Sequence, residues 1–137
     1  MIPKFRAWHH ELGRMMLIRT MFFFANELEE LQLNDSIMND DIPEYPDEIE
    51  LMQSTGLKDK NGKEIFEGDI ITNGTSIVDV KSHQTLGFYT VVNGEERFFG
   101  SNTSIKDFEN DVEEFSSVTE IIGNIYENPE LLELEVE

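Results

Sequence analysis

The sequence has no cysteine, few basic residues and no long apolar run, and each of these absences excludes a class of protein. Without cysteine, the chain can form no disulfide, no thiol nucleophile and no zinc site with cysteine ligands. Ten Lys and Arg residues scattered among 29 Asp and Glu residues cannot form the continuous positive surface that a phosphate backbone requires, so we expect no direct nucleic-acid binding. The most apolar stretch, 15–25, contains Arg19 and is shorter than the roughly 20 residues that span a bilayer, so no membrane segment is predicted.

The first residues lack the apolar core of a secretory signal. Lys4 and Arg6 could open such a signal, but two histidines, a glutamate and an arginine within 9–14 interrupt the apolar region that would have to follow. Export is therefore not expected, and the absence of cysteine agrees with a reducing compartment. The prediction is a cytoplasmic protein.

Apolar residues are sufficient for one core, and acidic residues are in large excess. Apolar residues make up 39% of the 137 residues, which favours a single folded domain. The net charge of −19 lies mainly in two segments: 27–50 carries ten carboxylates and no Lys or Arg, and 106–137 carries eleven carboxylates and one Lys. One hypothesis is that these carboxylates imitate DNA and occupy the nucleic-acid groove of a basic protein; the alternative is that they only confer solubility.

The first third of the chain predicts a hairpin, a helix and a loop. Residues 4–9 and 14–20 form two strands in this prediction, and Gly13 can take the positive φ that their tight connection requires. Asn26 is a suitable N-cap for a short helix over 26–31 with an acidic first turn. Two prolines in an acidic run predict a loop over 34–47. The predicted organisation is therefore a hairpin at 1–25, an acidic helix and loop insertion at 26–47, and a core at 48–137.

The rest of the chain predicts a meander of short strands and one helix. Asn-Gly pairs at 61–62, 73–74 and 93–94 supply turns between apolar runs, and Gly123 predicts a bulge or a close backbone approach in the last strand. Ser104 and Asp107 resemble a capping box, which predicts a helix over 104–115 with Ile105, Phe108, Val112 and Phe115 on one face. The predicted strands lie at 48–53, 70–71, 77–80, 87–92, 97–99 and 118–126.

Two glycine-containing segments resemble ligand loops but are incomplete. Gly56 and Gly62 are separated by five residues where a phosphate loop has four, and Glu64 replaces the Ser or Thr that would bind magnesium. The segment 59–62 resembles the start of a calcium loop, but its glycine comes too early. A plain turn explains both segments.

No constellation of catalytic side chains is present either. His9 and His10 are adjacent and would point to opposite faces of a strand, and His83 is the only other histidine. No nucleophile elbow is found, and carboxylate pairs are too common here to single one out. We therefore predict no catalytic residue, no metal site and no cofactor, with a carboxylate- or metal-dependent enzyme as an alternative.

A cluster of large apolar side chains near the start of the chain is the candidate interaction surface. Aromatic residues and methionine are enriched at the centres of interfaces, although ordinary core packing would also explain the cluster. The cluster predicts contact with an unidentified protein partner or self-association into a homo-oligomer. Its residues are Trp8, Met15, Met16, Phe22, Phe23 and Phe24.

Three segments of the chain form a recognisable pattern: KFRAW at 4–8, LMQSTGLKDKNGKEIFEGDII at 51–71 and EIIGNIYENPELLE at 120–133. Together they resemble the YopX family, whose members are encoded mainly by bacteriophages and prophages. The chain departs from the usual pattern at His9, Ser54 and Phe66, where an acid, an aromatic residue and tyrosine are common. The resemblance implies a phage or prophage protein in a bacterial host cell, and it implies no catalytic residue or cofactor.

The shared segments also bear on the fold. Glu67-Gly68-Asp69 before Ile70 resembles the start of a strand in an SH3-like barrel, which is an analogy of fold and not of ligand. The predicted fold class is mainly β, α+β at most: a small, SH3-like, partly open β-barrel with an N-terminal β-hairpin and one or two short helices. The predicted function is a non-catalytic accessory protein that acts by binding protein.

Overall fold

The computed structural model describes residues 4–35, 40–99 and 105–133, most of which lie in β-strands. The strands are β1 (Phe5–His9), β2 (Arg14–Phe24), β3 (Glu27–Asp35), β4 (Asp40–Glu44), β5 (Ile49–Lys58), β6 (Glu64–Phe66), β7 (Asp69–Thr72), β8 (Ile77–Asp79), β9 (Lys81–His83), β10 (Gly87–Val92), β11 (Glu95–Phe98) and β12 (Glu120–Asn124). One α-helix, α1 (Ile105–Val118), and two short 3-10 helices, at Pro46–Glu48 and Pro129–Glu133, complete the described elements.

The chain divides into two compact units, Met1–Ser54 (unit 1) and Thr55–Glu137 (unit 2). The strands are hydrogen-bonded in the orders β4-β3-β2-β1-β5-β6, β11-β10-β9 and β12-β7-β8. The prediction of a mainly-β fold with an N-terminal hairpin is confirmed. Within the described residues, these three sheets do not close into a barrel.

The core of unit 1 lies on one face of the β1–β2–β3 sheet. Ala7 on β1 lies opposite Met16 on β2, and both side chains are buried because alternate residues of a strand point to the same face. Leu31 and Leu33 extend this face onto β3, and Ile49 adds the start of β5. The alternation of these strands therefore decides which apolar residues enter the core.

The predicted helix at 26–31 is wrong, because the chain turns tightly there and continues as β3. Ala25 and Asn26 both have positive φ, 52° and 67°, which is the requirement of a two-residue type I′ hairpin. The predicted loop at 34–47 also contains β4, with Pro43 on the edge strand of the sheet, where its missing N–H is tolerated. Residues 36–39 of that loop lie outside the described residues.

A buried histidine shows that the sheet of unit 1 curls. His9 on β1 and Glu44 on β4 lie three strands apart in the sheet order, yet His9 Nε2 is 2.6 Å from Glu44 Oε2. His9 is 3% exposed, and its Nδ1 accepts a hydrogen bond from the backbone N–H of Leu12 at 3.1 Å. Because Nδ1 is an acceptor, the proton lies on Nε2 and is donated to Glu44.

Unit 2 has its own core around Ile65, Ile71 and Val80. Half-buried side chains of the strands and of α1 pack against this cluster, including Phe115, whose ring centroid is 5.2 Å from that of Phe99. The helix predicted at 104–115 is confirmed and ends three residues later, at Val118, while Ser104 lies outside the described residues.

The buried carboxylate of Asp59 connects two segments of unit 2 through hydrogen bonds. Asp59 is 4% exposed, and its carboxylate accepts hydrogen bonds from three backbone N–H groups: Oδ1 from Asn61 and Lys63, both at 2.9 Å, and Oδ2 from Ile121 at 3.1 Å. One side chain thus closes the turn at 59–63 and ties it to β12. The turn confirms the predicted Asn-Gly turn, with Gly62 at a φ of 81°.

A second buried aspartate organises the next turn. Asp69 is 2% exposed, and its Oδ2 accepts a hydrogen bond from the backbone N–H of Phe66 at 2.8 Å. The backbone of this turn pairs with Val80, whose carbonyl accepts from Gly68 and whose N–H donates to Asp69. These hydrogen bonds hold the start of β7 beside Val80, the residue between β8 and β9.

Gly123 occupies the predicted bulge, and a side chain there would collide with Asn128. The register of β12 against β7 shifts between Ile121 and Gly123. A Cβ at position 123 would lie 2.6 Å from Asn128 Oδ1 and 2.9 Å from Asn128 Cβ. Asn128 Oδ1 also accepts a hydrogen bond from the backbone N–H of Asn124 at 3.3 Å, so its side chain cannot move without losing that bond.

The change Gly123→Ala is expected to destabilise unit 2 by about 1–3 kcal/mol, the usual range for overpacking. Urea unfolding followed by circular dichroism measures the change. The change Asn128→Gly removes Oδ1, Cγ and Cβ of Asn128, the atoms that a Cβ at position 123 would meet. In this background, the further loss of stability from Gly123→Ala should largely disappear. An equal loss in both backgrounds would contradict this explanation.

Candidate protein-interaction surface

Strand alternation separates the six predicted surface residues into two sets. Trp8 lies opposite Met15 on the face of the sheet that points away from the core, which we call the outer face. Met16 points to the other side and is 2% exposed, so it is a core residue and not a contact residue in the folded chain. The alternative of ordinary core packing thus holds for Met16.

The three phenylalanines also alternate. Ile18 and Met21 both pack against the core, so their neighbours Leu17 and Phe22 point to the outer face. Phe24 follows Phe22 on that face, while Phe23 lies opposite Leu28 on the core side. Phe22, Phe23 and Phe24 are 45%, 63% and 74% exposed.

The outer-face apolar residues form one set on β1 and β2, which is interrupted by Thr20, opposite Gln32, between Leu17 and Phe22. We call it the apolar stripe and define it as Trp8, Met15, Leu17, Phe22 and Phe24. Leu17, which is 54% exposed, was not among the predicted residues, although its position two residues after Met15 on a strand could have identified it.

The end of the β2–β3 hairpin extends past its neighbouring strands. Within the described residues, β1 pairs with β2 only over Arg14–Leu17, and β4 pairs with β3 only over 31–35. Residues 22–30 therefore form a two-stranded arm that carries Phe22 and Phe24. An isolated two-stranded ribbon is only marginally stable in water, and exposed strand edges invite pairing.

Carboxylates border the apolar stripe. Glu30 lies opposite Phe22 and Glu27 lies opposite Phe24, so both point to the outer face. Glu50 lies opposite Trp8 at the other end. An apolar centre with a charged border is the usual composition of a protein interface, and here the border is mainly acidic, with Arg6 opposite Leu17 as its basic member.

The three histidines each make local contacts. His9 is buried in unit 1, His10 is exposed with its Nε2 3.4 Å from Glu50 Oε1, and His83 lies in unit 2, where its Nδ1 accepts hydrogen bonds from the backbone of the following turn. Across 4–35, 40–99 and 105–133, no group of three or more His, Asp or Glu residues has the geometry to hold a metal ion. No helix in that part of the chain is long and apolar enough to cross a membrane.

The segments that resemble a family serve structural roles in the folded chain. Asp59, Asp69 and Gly123 lie within these segments and form the turns and the bulge described above. Burial by itself would raise the pKa of Asp59, but three backbone hydrogen bonds and the charge of Lys63 together lower that pKa below 3.8. Asp59 is therefore an ionised turn-forming group.

Comparison with known proteins agrees with these segments. The family model described as YopX protein matches residues 4–133. This chain belongs to the YopX family. The crystal structure of protein EF1440 from Enterococcus faecalis is similar, with 27% sequence identity and a TM-score of 0.61 over 96% of this chain and 99% of that chain. A search of curated proteins finds no match.

Membership of the YopX family does not identify an activity. The family match extends over both compact units, including β2 and β3. Asp59 and Asp69 form turns and Gly123 forms a bulge in the segments that resemble the family. Their positions in the fold are accounted for by these structural roles without a ligand.

Proposed function

We propose that this chain is a non-catalytic accessory protein of the bacterial cytoplasm that binds a basic protein through the apolar stripe. The family's occurrence in phages and prophages supports an accessory role during infection. The observation that carries the proposal is the exposure of Phe22 and Phe24, at 45% and 74%, on an arm that extends past the neighbouring strands. Aromatic anchors of this kind dominate the energetics of protein interfaces.

The acidic border indicates the chemistry of the partner. Glu27, Glu30 and Glu50 lie beside the stripe, and the whole chain carries a net charge of −19. A second copy would bring like charges together, whereas a basic surface with an apolar pocket would complement both the centre and the border. The proposed partner is therefore a basic protein, and self-association is the alternative to be tested.

DNA mimicry is a second candidate function with a different contact surface. Asp111, Glu113 and Glu114 on α1 are exposed, and 106–137 carries one Lys against eleven carboxylates. Such a mimic would also bind a basic protein, but through α1 and not through the stripe. Variants in the two regions distinguish these functions.

Replacing Phe22 and Phe24 together by serine is expected to abolish capture of the partner. The experiment immobilises the purified chain, passes lysate of phage-infected bacteria over it, and quantifies retained proteins by mass spectrometry at low and high salt. The wild type should retain a basic protein, and the double variant should retain at least about 10-fold less of it, because interface aromatics typically contribute 2 kcal/mol or more. Retention should fall as salt rises.

The matched control is Leu86→Ser, which removes an apolar side chain that is 61% exposed in unit 2. This variant should retain the partner as the wild type does. Equal retention by the wild type and the Phe22/Phe24 variant would overturn the proposal. Loss only on neutralising Asp111, Glu113 and Glu114 would favour the mimic, and recovery of a second copy alone would favour self-association.

A further inference from the structure

Unit 2 contains a cleft of about 310 Å³ that no structural role explains. Strands β7, β8, β10 and β11 and the end of α1 line it. Its volume lies at the lower end of the range of about 300–1,000 Å³ that is typical of small-molecule sites. The cleft is therefore large enough to hold a small ligand.

The two sides of the cleft follow from the local structure. On the sheet side, Thr90 of β10 lies directly opposite Arg97 of β11, so both side chains project from the same face of the hairpin. On the helix side, Phe115 and Val118 are three residues apart and share a face of α1. Val78 and Phe115 pack against the core of unit 2, which gives the cleft an apolar floor.

The charge of the lining differs from that of the chain. Among the residues that the structure describes, eleven line the cleft and none of these is Asp or Glu, although the chain carries 29 of them. Arg97 is the charged residue of the lining, and its side chain is 64% exposed. Arg97 Nη2 lies 3.9 Å from Glu95 Oε2, and an exposed pair at that distance is weak.

Thr90 and Thr119 belong to the polar part of the lining, which also contains Thr72, Asn73 and Ser76. Thr90 and Thr119 are 7% and 2% exposed as whole residues and both reach the cleft. A hydroxyl can donate to an anionic oxygen, and a guanidinium binds carboxylate or sulfonate oxygens through two parallel N–H groups. The cleft thus combines an apolar floor with donors suited to one anionic group.

We propose that this cleft binds a small molecule that has an apolar ring or chain and one anionic group. The apolar part packs on Val78 and Phe115, and the anionic group lies beside Arg97. This site is independent of the apolar stripe, since it lies entirely within unit 2 and uses none of the stripe residues. An experiment that disproves ligand binding by the cleft would therefore leave the proposed partner binding by the stripe untouched, and the reverse also holds.

The probe that tests the site is 1-anilinonaphthalene-8-sulfonate, with the neutral N-phenyl-1-naphthylamine as its uncharged counterpart. Titration of the full, isotope-labelled chain followed by amide NMR locates binding by residue. The sulfonate should shift the amides of Thr90, Arg97, Val118 and Thr119, and Arg97→Gln should weaken its binding about 10-fold or more. Binding of the neutral compound should be unchanged by Arg97→Gln.

A matched pair on α1 gives a second test that does not depend on Arg97. Val118 lines the cleft and is 51% exposed, so Val118→Glu places a carboxylate at the opening and should also abolish binding of the sulfonate. Ser117→Glu adds the same charge one residue away, outside the lining, and should leave binding unchanged. The inference is overturned if shifts occur only at the arm or nowhere, or if Arg97→Gln and Val118→Glu bind the sulfonate as the wild type does.

Discussion

Replacing Asp59 by alanine is expected to destabilise unit 2 by about 3–5 kcal/mol, the largest effect of any single change proposed for this chain. The substitution leaves the backbone N–H groups of Asn61, Lys63 and Ile121 without their acceptor. Each buried donor left unsatisfied costs about 1–3 kcal/mol. Because small domains are stable by only about 5–15 kcal/mol, this change removes a large part of the total stability.

Hydrogen exchange of the unit 2 amides measures this effect locally, since the single tryptophan, Trp8, lies in unit 1. The loss of protection should be greatest at 59–63 and at β12. Glu95→Ala is the control, because it removes a carboxylate from an exposed pair in which Glu95 Oε2 lies 3.9 Å from Arg97 Nη2, and such a pair is worth about 0–1 kcal/mol. Equal losses from the two substitutions would contradict the structural role of Asp59.

The stability contributed by Asp59 should also depend on pH in a defined direction. The folded chain holds the pKa of Asp59 below 3.8, so the unfolded chain binds the proton more readily. The contribution is therefore complete above the unfolded pKa and is lost as the pH falls through the folded pKa. The stability difference between wild type and Asp59→Asn should be constant near neutral pH and should shrink in acid below about pH 4.

Replacing His9 by alanine is expected to destabilise unit 1 by about 2–4 kcal/mol. The side chain is 3% exposed, so its removal creates a cavity, which alone costs several kcal/mol for large side chains. It also removes the bridge between β1 and β4 and leaves the N–H of Leu12 without its acceptor. Urea unfolding followed by the fluorescence of Trp8, the neighbouring residue on β1, measures the change.

His10→Ala is the matched control, one residue away. His10 and Glu50 are 49% and 53% exposed, and a pair that exposed contributes about 0–1 kcal/mol. Glu44→Gln keeps an acceptor for His9 and should cost less than His9→Ala. If His10→Ala destabilised the chain as much as His9→Ala, the structural role of the contact between His9 and Glu44 would be contradicted.

Local turn chemistry predicted most of the strands correctly. Asn93 and Gly94 have φ values of 53° and 80°, as a type I′ hairpin requires, and Gly13 has a φ of 61° at the first hairpin. The error at 26–31 has a physical cause, because an acidic segment after Asn satisfies the pattern of a capped helix as well as that of a hairpin. Leu31 and Leu33, which are both buried in the fold, are separated by one polar residue, and this alternation indicates a strand and not a helix.

The candidate surface could be predicted only in part. Composition identified the cluster between Trp8 and Phe24, but register was needed to assign Met16 to the core and Leu17 to the apolar stripe. The contact between His9 and Glu44 could not be predicted, since it depends on the curl of a sheet and joins residues 35 positions apart. The cleft beside Arg97 was equally beyond sequence reasoning, because strands and a helix from distant segments line it.

Site-specific photo-crosslinking tests the central claim most directly. Chains carrying p-benzoylphenylalanine in place of Phe22 or Leu86 are irradiated in infected cells, and crosslinked products are identified by mass spectrometry. The proposed function predicts that the Phe22 position crosslinks to a basic protein and that the exposed Leu86 position does not. The same product from both positions, or crosslinks from Phe22 to a second copy alone, would contradict it.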